Sequence, residues 1–265
     1  MKHARIQFVG LLLLTVSPVW AVSFSDLPER EIRYVNKKTG ELHARARLLV
    51  KRVEKDDRDR YVIVQTGQGN YDTYKDVHWV KASKIIYDGL AVKPLESITT
   101  VYDPDKTMRV EYRKLYDYEN KEIVFKKLSP ERKVLEREVF PIDGPTCDDV
   151  TLVHFLRGYA EHKGEKDYEQ FFLLTNEPKL YKVRIKELPA ETLDLESGRV
   201  RALKFQLMTE LGPLSELAAK LIPPTFVWYT DTEPYDWLQY EGLETTLRSA
   251  NIVVSVMDSE LNTGE

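Results

Sequence analysis

Apolar and polar residues alternate along most of this chain with a period of two, the pattern of strands that bury one face and wet the other. Ala44, Ala46, Leu48 and Val50 alternate with Arg45, Arg47, Leu49 and Lys51. Met108, Val110 and Tyr112 alternate with Arg109, Glu111 and Arg113. Tyr181, Val183 and Ile185 alternate with Lys182, Arg184 and Lys186, the cleanest case. Further strands are predicted at 61–66, 77–87 (one bent or two short), 94–102, 123–128, 134–140, 169–175, 192–196, 200–208, 225–230, 237–241 and 250–257. The run at 169–175 is apolar enough for a central strand. Turn chemistry separates the runs: Asp56 to Asp59, Asp88-Gly89, Asp103-Pro104-Asp105, Glu119-Asn120, Asn176-Glu177-Pro178 and Ser197-Gly198. Residues 22–30 read as irregular, and Gly67 to Tyr71 as a loop.

One stretch near the middle changes period. Leu152, Phe155, Leu156, Tyr159 and Ala160 fall at i, i+3, i+4, i+7 and i+8, one face of a helix. Thr151, His154, Arg157, Glu161 and His162 fall mostly on the other side, which reads as a wet face. Asp148 and Asp149 stand where carboxylates cap a helix start, and His162, Lys163 and Gly164 suit its end. The spacing predicts a helix near 148–162. A second, short helix is predicted at 213–221, opened by Pro213 and stopped by Pro223-Pro224. The expected fold is mainly β with one or two helices, a large curled antiparallel sheet or incomplete barrel wrapped on the central helix.

Composition places the chain in a compartment. The first residues carry Lys2, His3 and Arg5, then an apolar run from Phe8 to Val16, then Val19-Trp20-Ala21. This is the pattern of a secretory signal peptide over 1–21, cut between Ala21 and Val22. Residues 22–265 then form a single domain, and cleavage takes the formal net charge from −4 to −6 by removing Lys2 and Arg5. No other run is long and apolar enough to span a bilayer. The single cysteine, Cys147, excludes an internal disulfide. It also lies far from the cleavage point, so lipid attachment at a new N-terminal cysteine is not expected. The expected location is periplasmic, not as a lipoprotein. With no basic stripe interleaved with aromatics, nucleic acid is not an expected partner.

The segment around the helix resembles a known group. Paired acids, a helix ending near Leu156-Arg157, the basic strand Leu180 to Glu187, the acidic run Glu191 to Leu195, Ser197-Gly198 and the strand Ala202 to Leu207 are similar to bacterial exported proteins of the domain of unknown function family 3108. Val227 to Asp231 with Pro234 resembles that family's closing motif, whereas Trp237-Leu238 and Tyr240 to Gly242 fit its last hairpin less well. The resemblance implies an open barrel similar to periplasmic lipoprotein carriers. It carries no activity and no functional residue.

Reactive residue types are sparse. Asp143, Cys147, Asp148, Asp149 and His154 form the densest group. A thiol beside two carboxylates is a poor nucleophile, because like charge raises its pKa. Helix capping explains the acids, and a structural thiol explains Cys147. His154 and His162 stand two turns apart, and no HExxH, CxxC, GxSxG or GxGxxG motif is present. No catalytic, cofactor-binding or metal-binding residue is assigned, no cofactor is expected, and the chain reads as a non-enzyme. Aromatic residues are the remaining candidates. Trp79, Trp228, Trp237, Tyr229, Tyr235 and Tyr240, with Phe155 and Tyr159 of the helix, could line a cavity for a hydrophobic small ligand or lipid, although aromatics of this kind also serve as plain core. Three functions follow: a carrier for a hydrophobic ligand, a fully packed structural or interaction protein, or an unrecognised hydrolase.

Overall fold

The structure is a computed structural model that describes residues 27–55, 59–87, 92–161, 169–196, 198–210, 223–246 and 249–257. The signal peptide with its cleavage point, the Asp88-Gly89 turn, His162 and the helix expected at 213–221 lie outside the described residues.

Alternating sequence becomes long strands. The first half runs β1 (Leu27–Asn36), β2 (Leu42–Lys55), β3 (Asp59–Tyr71), β4 (Tyr74–Tyr87), β5 (Val92–Tyr102), β6 (Met108–Asp117), β7 (Glu122–Leu128) and β8 (Val134–Pro141). The second runs β9 (Thr146–Asp148), α1 (Leu152–Glu161), β10 (Gln170–Leu174), β11 (Leu180–Leu195), β12 (Gly198–Glu210), β13 (Thr225–Thr230), β14 (Trp237–Leu243) and β15 (Asn251–Val256). Within each half, neighbours in sequence pair with each other, and β1 pairs antiparallel with β15. The first and last described strands therefore meet in the middle of one sheet of 15 strands, and the mid-chain strands β8 and β9 form its two edges. The protein is a large open, curled, mainly antiparallel sheet.

The mid-chain position of the seam explains the helix. β9 and β10 are parallel neighbours, with Cys147 opposite Leu173. Parallel strands need a crossover, and a helix is the usual one. Here α1 makes that crossover on the concave side, where it packs against β5, β9, β13 and β14. Inward residues of nearly every strand join it in one core, among them Ile32, Val50, Ile63, Trp79, Val101, Phe125, Val183, Phe205 and Val254. Phe155 lies 5.0 Å from Phe171, and Tyr159 meets Phe205 edge-on at 5.3 Å.

Several expectations need correction. The helix starts at Leu152, and Cys147 and Asp148 belong to β9. His154 and Arg157 are buried, so the polar side of α1 is not wet. A helix enclosed by a curled sheet has no solvent side. The irregular stretch at 22–30 gives way to β1 at Leu27; its pairing with β2 shifts register between Leu27 and Arg30 and again at Tyr34, which blurs the alternation. Residues 67–71 are strand, since Gly67 lies opposite Trp79 in the β3–β4 ladder. The run at 169–175 is β10, next to the β9 edge rather than central. The pieces at 181–186 and 192–196 are one strand, β11, with a register shift between Leu188 and Glu191.

Candidate functional site

Two features converge at the start of α1: a buried charged cluster and a cavity. Asp148 Oδ1 accepts from the backbone N–H of Val150 at 3.0 Å and of Thr151 at 3.1 Å, while Asp148 N–H donates to Thr151 Oγ1 at 3.0 Å. Its second oxygen accepts from Tyr116 OH at 2.8 Å. Asp148 thus caps the turn ahead of the helix and ties it to β6. Thr151 opens the helix, its carbonyl accepting from Phe155 N–H at 2.8 Å.

Asp149 caps nothing. Its Oδ1 accepts from Lys114 Nζ at 2.6 Å, and its Oδ2 lies 3.6 Å from Lys81 Nζ and 3.3 Å from Asn176 Nδ2. Lys81 also sits over the Tyr71 ring, 4.9 Å from its centroid. Burial acts to raise the Asp149 carboxyl, but the two ammonium groups outweigh it and hold the group below the usual carboxylate range. Cys147 goes the other way. Burial and then Asp148 push its thiol well above the usual value, with Lys114 opposing in part. A thiol held protonated cannot act as a nucleophile.

The cavity lies between the first turn of α1 and the concave face of the sheet. It offers ≈ 180 Å³ to the centres of water-sized molecules. An apolar cavity of about 150 Å³ is known to take a benzene-sized guest. Its walls come from Ile32 on β1, Leu48 on β2, Ile63 on β3, Ile252 and Val254 on β15, and Leu152 on α1. Polar groups enter from Tyr34, Lys81, Asp149, Tyr240 and Glu244. Tyr34 OH accepts from Gln65 Nε2. Tyr240 OH donates to the Leu243 carbonyl at 2.7 Å.

The aromatics singled out in the sequence do not gather at one place. Tyr240 and Trp237 line the cavity. Trp79 lies one layer behind, stacked on Tyr71 at 5.3 Å and edge-on to Tyr34 at 6.0 Å. Phe155 and Tyr159 lie further along α1 against Phe171 and Phe205, outside the cavity wall. Trp228 faces away from it: its neighbours Val227 and Tyr229 point into the core, so alternation sends Trp228 to the convex side. There it packs with Ala202 and Leu238, donates Nε1–H to Glu191 at 2.7 Å and lies under Lys204. The aliphatic walls and Glu244 escaped the sequence reading. Aliphatic alternation is common to every strand, and Glu244 falls just beyond the end of β14.

Among the described residues no cluster of three or more His, Cys, Asp or Glu could hold a metal, and no helix is long and apolar enough to cross a membrane. No family model matches the chain, so the resemblance to family 3108 stays one of short motifs. No curated protein matches it either. Among solved structures, a β-barrel-like protein of the domain of unknown function DUF1849 from Brucella abortus is similar at 12% identity, TM-score 0.47, over 87% of this chain and 95% of that one. A protein with a YmcC-like fold, called exported, from Bacteroides fragilis aligns at 9% identity, TM-score 0.30, over 88% and 96%. A protein called a lipoprotein, from Parabacteroides distasonis, aligns at 7% identity, TM-score 0.31, over 87% and 95%. At such identities and scores these are likenesses of shape alone, and they assign no activity to this chain.

Proposed function

We propose that this is an exported, non-enzymatic binding or carrier protein that takes a hydrophobic, lipid-like ligand between α1 and the sheet. One observation carries the reading: the interior is not filled. A partly open cavity with aliphatic, aromatic and polar walls lies between α1 and the sheet, the form that small-molecule sites take. The acids and thiol near the helix start, the residues most suggestive of catalysis, are engaged in structure.

Mass spectrometry of organic extracts from the purified protein tests this, together with displacement of a polarity-sensitive dye by decanol. A co-purifying lipid, or saturable displacement, is the expected result. Extracts free of lipid and no displacement would favour the packed structural or interaction protein. A hydrolytic activity lost on Asp148→Asn with the fold retained would return the hydrolase.

A further inference from the structure

Glu244 follows β14 directly, and its side chain is only 1% exposed. One carboxylate oxygen is well served: Oε2 accepts from Asp72 N–H at 2.7 Å and lies 3.2 Å from His43 Nε2. The other, Oε1, is buried and has no hydrogen-bond partner among the described residues. Glu244 is also part of the cavity wall. A buried carboxylate oxygen without a donor is costly, more so than a neutral group.

The surroundings say which donor suits it. Asp72 stands beside Glu244, its Oδ1 accepting from Ser249 Oγ at 2.6 Å and Thr246 Oγ1 at 3.4 Å. Of these groups only Glu244 lines the cavity, and Asp72 and His43 stand behind it. Lys81, the ammonium that also reaches the cavity, is already matched by Asp149. At the other end of β14, Trp237 lines the same cavity, about 23 Å away along the chain at ~3.3 Å per residue. Its Nε1 is likewise without a partner among the described residues, but an indole N–H is neutral and the smaller loss. Between these ends the wall is Ile252, Val254 and Ile32. The wall at Ile252, Val254 and Ile32 is thus apolar, and Glu244 sets a carboxylate beside it.

We propose that the ligand is an amphipath with a cationic, hydrogen-bond-donating head, an ammonium, seated on Glu244 Oε1 with its apolar chain along β15 and β1. This rests on the reading of the cavity as a binding site and names the chemical class it selects. Decylammonium, decanoate and decanol, each below its micelle concentration, would be titrated into the whole protein by calorimetry near neutral pH. Decylammonium should bind about tenfold or more tighter than decanoate, and Glu244→Gln should collapse that ratio to about twofold. Should Glu244→Gln fail to fold, the comparison of the three heads on the unaltered protein and on Asp72→Asn still decides. Equal affinities, a preference for decanoate, or an unchanged ratio in Glu244→Gln would overturn the head assignment while the cavity reading stands. Binding of none of the three would overturn both.

Discussion

Asp149 shows how a residue can look catalytic in sequence and be structural in space. It is ionised in the interior because two lysines from β4 and β6 reach it across the concave face. Sequence places Lys81 and Lys114 far from Asp149 and on alternating strands, so nothing local announces the cluster. Lys114→Met should destabilise the protein by about 1.5–3 kcal/mol in urea melts, the worth of a charged hydrogen bond, since Asp149 keeps Lys81 and Asn176. His154 has a similar history. Its sequence position suggested a wet helix face, yet burial, with Arg157 and Arg30 nearby, lowers its pKa to about 3. An unfolded histidine titrates near ~6.5. Between those values the unfolded chain binds a proton that the folded chain refuses, so this contribution is complete above ~6.5 and is lost as pH falls towards 3. Wild type should therefore lose about 1–2 kcal/mol more than His154→Gln on going from pH 7 to pH 5. Equal losses in paired melts would mean that His154 is not buried as described.

At the scale of elements, strand positions were legible because the alternation is strong, and the misses have local causes. Gly67 lacks a side chain to signal a strand, yet it is needed there. A Cβ at that position would lie 2.2 Å from the Trp79 ring, which folds flat over it. β1 was hidden by its register shifts and by Glu29, Glu31 and Arg33 on its outward face. The helix was visible from its apolar stripe, but periodicity could not show that its other side is enclosed as well. That follows from topology: α1 is the crossover of a parallel pair at the seam of a curled sheet. Phe155→Ala should cost about 3–5 kcal/mol, as for a buried aromatic. A loss below ~1 kcal/mol in denaturant melts would mean that α1 does not pack against β10 through this ring.

For the molecule as a whole, the chain order decides the function it can have. Pairing of β1 with β15 puts the open seam at mid-chain, and the mid-chain helix turns inward to fill part of the space. The fold class could be read from the sequence because every strand repeats the same two-faced pattern. The cavity could not, because it depends on how much of the interior one helix leaves unfilled. Aromatic content found only part of the walls: Trp237 and Tyr240 line the space, Trp79, Phe155 and Tyr159 pack elsewhere in the core, and Trp228 lies on the convex side. What lines the space is a set of aliphatic residues from β1, β2, β3, β15 and α1, with Tyr34, Trp237, Tyr240 and polar groups that include Lys81, Asp149 and Glu244.

The most direct measurement is calorimetric titration of decylammonium into three proteins: wild type, Ile252→Trp and Val253→Trp. Ile252 faces the cavity, and its neighbour Val253 alternates to the convex face. A tryptophan at 252 should fill the space and lower affinity by about tenfold or more, with the fold retained at a cost of ~1–3 kcal/mol. Val253→Trp should bind as wild type does. Unchanged binding to Ile252→Trp, or equal loss in both variants, would contradict a ligand site between α1 and the sheet.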